Sequence, residues 1–75
     1  MLDSFETLCQ AVIASGWSSL RPAAFVKGDL ELVFDTSTYI EVYRDAHRVA
    51  ECRVATASEV TVFLSSLSPA GDKTA

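Results

Sequence analysis

The sequence is poor in the residues that most often carry chemistry. It has one histidine, His47, and two cysteines, Cys9 and Cys52. A zinc site takes about four Cys or His ligands at close spacing, so none is expected here. Nucleophilic catalysis needs a Ser or Cys beside a base that is itself oriented. The lone histidine falls in an expected hairpin turn and both cysteines fall at apolar-face positions, so the chain reads as a non-enzyme. Its glycines, Gly16, Gly28 and Gly71, are isolated, which excludes a Gly-rich phosphate loop. No cofactor or metal is expected.

Basic residues are also scarce. Six Lys and Arg stand against ten Asp and Glu, for a formal net charge of −4. Arg21, Lys27, Arg44, Arg48, Arg53 and Lys73 are spread along the chain, whereas phosphate binding needs them clustered. Direct nucleic-acid binding and an anionic membrane surface are therefore not expected. No apolar run reaches the roughly 18 residues of a membrane span. The opening MLDSFETL carries acids early and no basic segment, unlike a secretory signal. The expected compartment is the reducing cytoplasm, with Cys9 and Cys52 as buried thiols.

At 75 residues, 49% hydrophobic and 21% charged, the chain is one globular domain. The domain is expected over residues 1–68, with a disordered tail over 69–75. A chain of this size buries only about 60% of its unfolded surface, so association with a partner or a second copy would add to a modest stability.

Alternation with period two marks three strands within Leu30 to Val54. Leu30, Leu32 and Phe34 oppose Glu31, Val33 and Asp35. Ile40 and Val42 oppose Tyr39, Glu41 and Tyr43. Ala50, Cys52 and Val54 oppose Val49, Glu51 and Arg53. Pairing 34 with 40, and 44 with 48 around Asp45-Ala46-His47, places every apolar set on one face; a slip of one residue would not. Ala23 to Lys27 is a further, weaker strand, joined to Leu30 by the two-residue turn Gly28-Asp29. Ser18 to Pro22 reads as a connection, and Arg21-Pro22 suggests a sheet edge.

A helix is expected on each side of these strands. The first runs from Ser4 to Ser15, with Asp3 as its cap and Glu6 at the capping-box spacing. Phe5, Leu8, Cys9, Val12 and Ile13 form its apolar stripe. Gly16 gives the left-handed exit, which sets Trp17 against Val12. The second opens at Thr56, with Glu59 at the capping-box spacing. It carries Val60, Phe63, Leu64 and Leu67 on one stripe and stops at Ser68-Pro69. The expected fold is α+β in two layers: an N-terminal helix, a three- or four-stranded antiparallel meander and a C-terminal helix, with both helices on one face of the sheet.

The other face is then open, and its composition is the feature that points to function. It gathers Glu31, Tyr39, Glu41, Tyr43, Glu51 and Arg53. Glu41 and Glu51 fall directly opposite each other, which costs a few tenths of a kcal/mol on a scale of roughly 0.2–1. Folding alone does not favour that choice. Tyrosine supplies large contact area at low entropic cost, and acids steer toward a basic surface. These six residues are the candidate partner-binding site. The expected function is a non-enzymatic module that inhibits or regulates a partner protein with a basic patch by stoichiometric binding, in competition with nucleic acid where the patch normally holds it. The alternative is a homodimeric accessory subunit that uses the open face or an edge strand.

The order helix, three strands, helix over Asp3 to Leu67 resembles the layout of the double-stranded RNA-binding domain. That family grips phosphates with lysines at the start of its second helix. The corresponding run here, Val54-Ala55-Thr56-Ala57-Ser58-Glu59, has no base. The resemblance therefore implies the fold and, at most, a degenerate relative that no longer binds RNA. Short, acidic and single-domain, the chain is also similar in type to small phage-encoded inhibitors, including anti-CRISPR proteins, without a shared motif.

Overall fold

The computed structural model describes residues 2–67. The last helix ends at Ser65 with Ser66 as its C-cap, before the expected stop; Ser68-Pro69 itself and the expected tail lie outside the described residues. Helix α1 (Phe5–Ala14) leads into strands β1 (Ser18–Arg21), β2 (Ala24–Lys27), β3 (Leu30–Thr36), β4 (Tyr39–Arg44) and β5 (His47–Arg53), and helix α2 (Ala57–Ser65) follows. The strands form one antiparallel sheet in the order β1-β2-β3-β4-β5. The class is the expected two-layer α+β, but the meander has five strands.

The added strand is β1, in the segment expected to be a connection. All four of its residues are exposed, so it carries no alternation of polar and apolar residues. Its turn to β2 is Pro22-Ala23. Proline suits the first central position of such a turn, and Ala23 takes the positive φ of 67° that the second requires in a type II turn. Glycine is the usual residue there, and alanine hides the turn from a sequence reading.

The register expected for β3 and β4 holds, with Phe34 opposite Ile40 and Leu32 opposite Val42. Strand β2 pairs with β3 through the two-residue turn Gly28-Asp29, with Gly28 at φ 61°. Between β4 and β5, Ile40 meets Cys52, Glu41 meets Glu51 and Val42 meets Ala50, also as expected. The tip of that hairpin differs. Arg44 pairs with His47 around a two-residue turn, and both Asp45 (φ 53°) and Ala46 (φ 67°) are left-handed. A bulge between Val42 and Tyr43 on the ladder restores the register, leaving Val49 unopposed and Arg48 opposite Tyr43.

The core joins α1, α2 and one sheet face. Leu8, Ala11 and Val12 of α1 and Val60 and Leu64 of α2 form one cluster with Phe25, Leu30, Leu32, Phe34, Ile40 and Val42. The alternating burial along β3 and β4 follows from that one-sided cover. Phe5 packs its ring edge-on against Phe34 at 5.0 Å, although its outer edge reaches solvent. Ile13, expected in the α1 stripe, points outward and is 43% exposed; Ala11 takes its place in the core. Cys9 and Cys52 are free thiols, half-buried at the margin of the core rather than within it. Burial, and then the nearby Glu6 carboxylate, pushes the Cys9 thiol above its ordinary pKa.

The helix ends show one expected cap, one expected exit and one exchange of partners. Thr56 and Glu59 form the capping box of α2. Gly16, at φ 97°, ends α1. Its N–H donates to Ile13 O and that of Trp17 to Val12 O, the two bonds of a Schellman motif. The Lys27 ammonium donates to Ser15 O at the same end. Asp3, however, does not cap α1. Ser4 does, accepting the Thr7 N–H, while the Asp3 carboxylate accepts the Ala57 N–H of α2. The Asp3 N–H in turn donates to Ala55 O at 2.8 Å.

Candidate interaction surface

With both helices in the core of one sheet face, the other face is left as surface. Two cross-strand rows run over it. One is Ser18, Val26, Glu31, Tyr43 and Arg48; the other is Arg21, Ala24, Val33, Glu41 and Glu51. Tyr39 opposite Arg53 completes the end nearest the β3–β4 turn. The six residues expected on this face, Glu31, Tyr39, Glu41, Tyr43, Glu51 and Arg53, are therefore together on it.

Their electrostatics differ from the expectation. Glu41 and Glu51 are opposite, as the alternation predicts, but they are not left to repel. The Arg48 guanidinium lies 3.0 Å from Glu41 Oε2 and 3.5 Å from Glu51 Oε1 and bridges the two. Tyr43 donates to Glu41 Oε1 at 3.0 Å, and Tyr39 donates to Glu51 Oε1. The five side chains form one chain of contacts, Tyr43–Glu41–Arg48–Glu51–Tyr39. Glu31 pairs with Arg21 at 3.3 Å, and Arg44 ties to Asp29 at 3.0 Å beside the β2–β3 turn.

Arg48 is the residue that sequence reasoning missed. In a ladder without a bulge it would stand opposite Arg44, with the parity of the apolar face. The bulge shifts it to the outer face, where it meets both glutamates. Bulges re-aim side chains in this way. The signal was the turn itself, since a two-residue reading of Asp45-Ala46 forces the compensating bulge, but Ala46 replaces the glycine that usually announces such a turn. Arg21 was missed because β1 was.

The contacts move the protonation equilibria of the face in one direction. The hydrogen bond to Glu51 pushes the Tyr39 phenol above its ordinary pKa, and the bond to Glu41 does the same for Tyr43. In each case the phenol must give up the proton it shares with a carboxylate that is already charged. The bond to Glu41, and then the charge of Glu51, raises Arg48 further.

On this face Glu31, Glu41 and Glu51 stand against Arg21, Arg48 and Arg53, with Asp35 as a further carboxylate whose charge acts on Tyr43. Among the described residues no group of three or more His, Cys, Asp and Glu is placed to hold a metal ion, and no helix is long and apolar enough to cross a membrane. Between the helices lie five strands where the double-stranded RNA-binding layout has three. No family model, no curated protein and no solved structure matches the chain.

Proposed function

We propose that the protein is a stoichiometric protein-binding module whose contact surface is the outer sheet face. The observation that carries this reading is the fixed presentation of Tyr39 and Tyr43, each anchored through its hydroxyl to a glutamate that Arg48 braces. Side chains already held in place lose little freedom on binding, and tyrosine offers a large flat area for contact. A loosely solvated face would not tie five side chains into one network.

The partner is a protein rather than a nucleic acid, because the net charge of −4 opposes phosphate and favours approach to a basic surface. The pairing of each glutamate with an arginine divides the work. The overall charge draws the partner in, and the tyrosine-bearing face makes the contact. Where the basic surface normally holds nucleic acid, occupancy by this protein inhibits its use.

Capture of a partner by tagged protein, followed by titration of the purified pair, tests the reading. The expected result is a one-to-one complex that the Tyr39→Ala/Tyr43→Ala variant weakens about tenfold or more. A complex whose affinity the double variant leaves unchanged would remove this face as the contact surface.

A further inference from the structure

We infer that the free edge of β5 is a self-association edge, on which a second copy of this chain adds its own β5 antiparallel to make a continuous ten-stranded sheet with Cys52 on the two-fold axis. This inference is separate from the outer-face reading, although Glu51 and Arg53 belong to both surfaces.

Strand β5 ends the sheet, so one side of its backbone meets no strand among the described residues. Such an edge is a template for a further strand unless it is blunted. The opposite edge, β1, is blunted: it has four residues and a bulge between Ser19 and Arg21. Strand β5 has seven residues, and its ladder is regular from Ala50 to Arg53.

Backbone direction limits the register. The Val54 N–H donates to Thr38 O, on the β4 side. By alternation the backbone groups of Cys52 also turn toward β4, and those of Glu51 and Arg53 turn to the free edge. A second β5 must set outward residues against outward residues. Two registers centred on the regular segment satisfy this. One places Glu51 against its own copy, where like charges repel. The other places Glu51 against Arg53 of the second copy, twice, with Cys52 against Cys52 between them.

Charge selects the second register. Glu51 uses only Oε1 for Tyr39 and Arg48, and its Oε2 has no partner among the described residues. Arg53, alone among the arginines of the outer face, pairs with no described carboxylate. Each copy therefore offers one unused carboxylate oxygen and one unused guanidinium, spaced to meet their counterparts across a two-fold axis. That is the self-complementarity an isologous interface requires.

The apolar surface beside the edge fits the same occupant. A groove of about 360 Å³ runs between β5 and α2, lined by Cys52, Val62 and Phe63 among others. Val62 is 66% exposed, on a helix whose other face is buried. A two-fold axis perpendicular to the sheet keeps both α2 helices on the same side. It sets the two grooves facing each other, so that association covers Val62 as well as pairing the edge.

Sedimentation of the full chain over a range of concentrations, with the charges exchanged, tests the proposal. The expected result is a monomer–dimer equilibrium that Arg53→Glu weakens about tenfold or more, and that Glu51→Arg/Arg53→Glu restores. A chain that stays monomeric at millimolar concentration, or a dimer indifferent to Arg53→Glu, would overturn it. A second measurement does not depend on how the charge variants fold. In a non-hydrogen-bonded antiparallel pair the Cα atoms stand about 4.5 Å apart, within disulfide range. Diamide should therefore join two copies of the Cys9→Ser variant through Cys52. Two thiols lose two electrons and two protons to form the S–S bond, and the diazene is reduced to its hydrazine. Absence of the cross-link overturns the register. A cross-link of equal yield in Cys9→Ser/Arg53→Glu shows random collision and overturns it too. If a foreign peptide strand rather than a second copy occupies the edge, the sedimentation series shows only monomer.

Discussion

The Asp3 carboxylate accepts the backbone N–H of Ala57, 54 positions along the chain, at 2.7 Å. The residue that precedes one helix thereby caps the other. The acid sits in the first turn of α2, where unpaired N–H groups and the helix dipole favour a negative charge. The reverse bond, from Asp3 N–H to Ala55 O, makes the tie two-stranded. It holds the N-terminal segment against the start of α2.

Asp3→Ala is expected to lower stability by about 1 kcal/mol, within the range for loss of a helix cap. For a domain of this size that shifts Tm by roughly 4–8 °C. Thermal and urea unfolding check it. If Asp3 capped α1 instead, Ser4→Ala would add no further loss; the structure expects Ser4→Ala to destabilise separately, because Ser4 holds the Thr7 N–H.

Arg48→Met leaves Glu41 and Glu51 opposite each other without the guanidinium between them. The variant is expected to unfold a few degrees below the parent at low salt, and the gap should close as salt screens the two carboxylates. Glu41→Gln in the Arg48→Met background should recover part of the loss. Melting curves across an ionic-strength series decide it; a loss that salt does not change would mean that Arg48 acts through packing alone.

Tyr39 and Tyr43 are both raised by their bonds to glutamates, so both should ionise above the ordinary phenol range near about 10. The folded state favours the neutral phenol, so the contribution to stability is complete below the ordinary phenol value and is lost as pH rises through the higher folded one. Ultraviolet absorbance titration reads both groups. Glu51→Gln should return Tyr39 toward the ordinary range and leave Tyr43 raised; two phenols that titrate normally in the parent would contradict the network.

What the sequence made legible is what packing enforces. The alternation of Leu30, Leu32 and Phe34 with Glu31, Val33 and Asp35 left one register with a buried face, and that register set the outer row as well. The capping box at Thr56 and the Gly16 exit were legible because local backbone geometry demands those residue types. Three features were not. Strand β1 has no buried face, so nothing in Ser18 to Arg21 alternates. Arg48 reaches the outer face only through a bulge that follows from a left-handed Asp45-Ala46 turn, and neither residue is a glycine. Asp3 stands at the right spacing to cap its own helix, and only the tertiary packing of α1 beside α2 gives it another partner. Local rules placed the acids and tyrosines of the face; long-range contacts determined what they touch.

Every strand in the sheet pairs with its neighbour in sequence, so the meander can close as it leaves the ribosome. The helices cannot follow that schedule. The first is made before any strand, yet its mate is made after the last. Until then Leu8 and Val12, together with the greasy side of the nascent sheet, have no cover from Val60 and Leu64. A truncated product that stops short of Thr56 would keep that surface permanently, as a target for chaperones and proteases. This domain therefore closes in a single step, in which α2 arrives over the sheet and the Asp3 carboxylate latches its first turn.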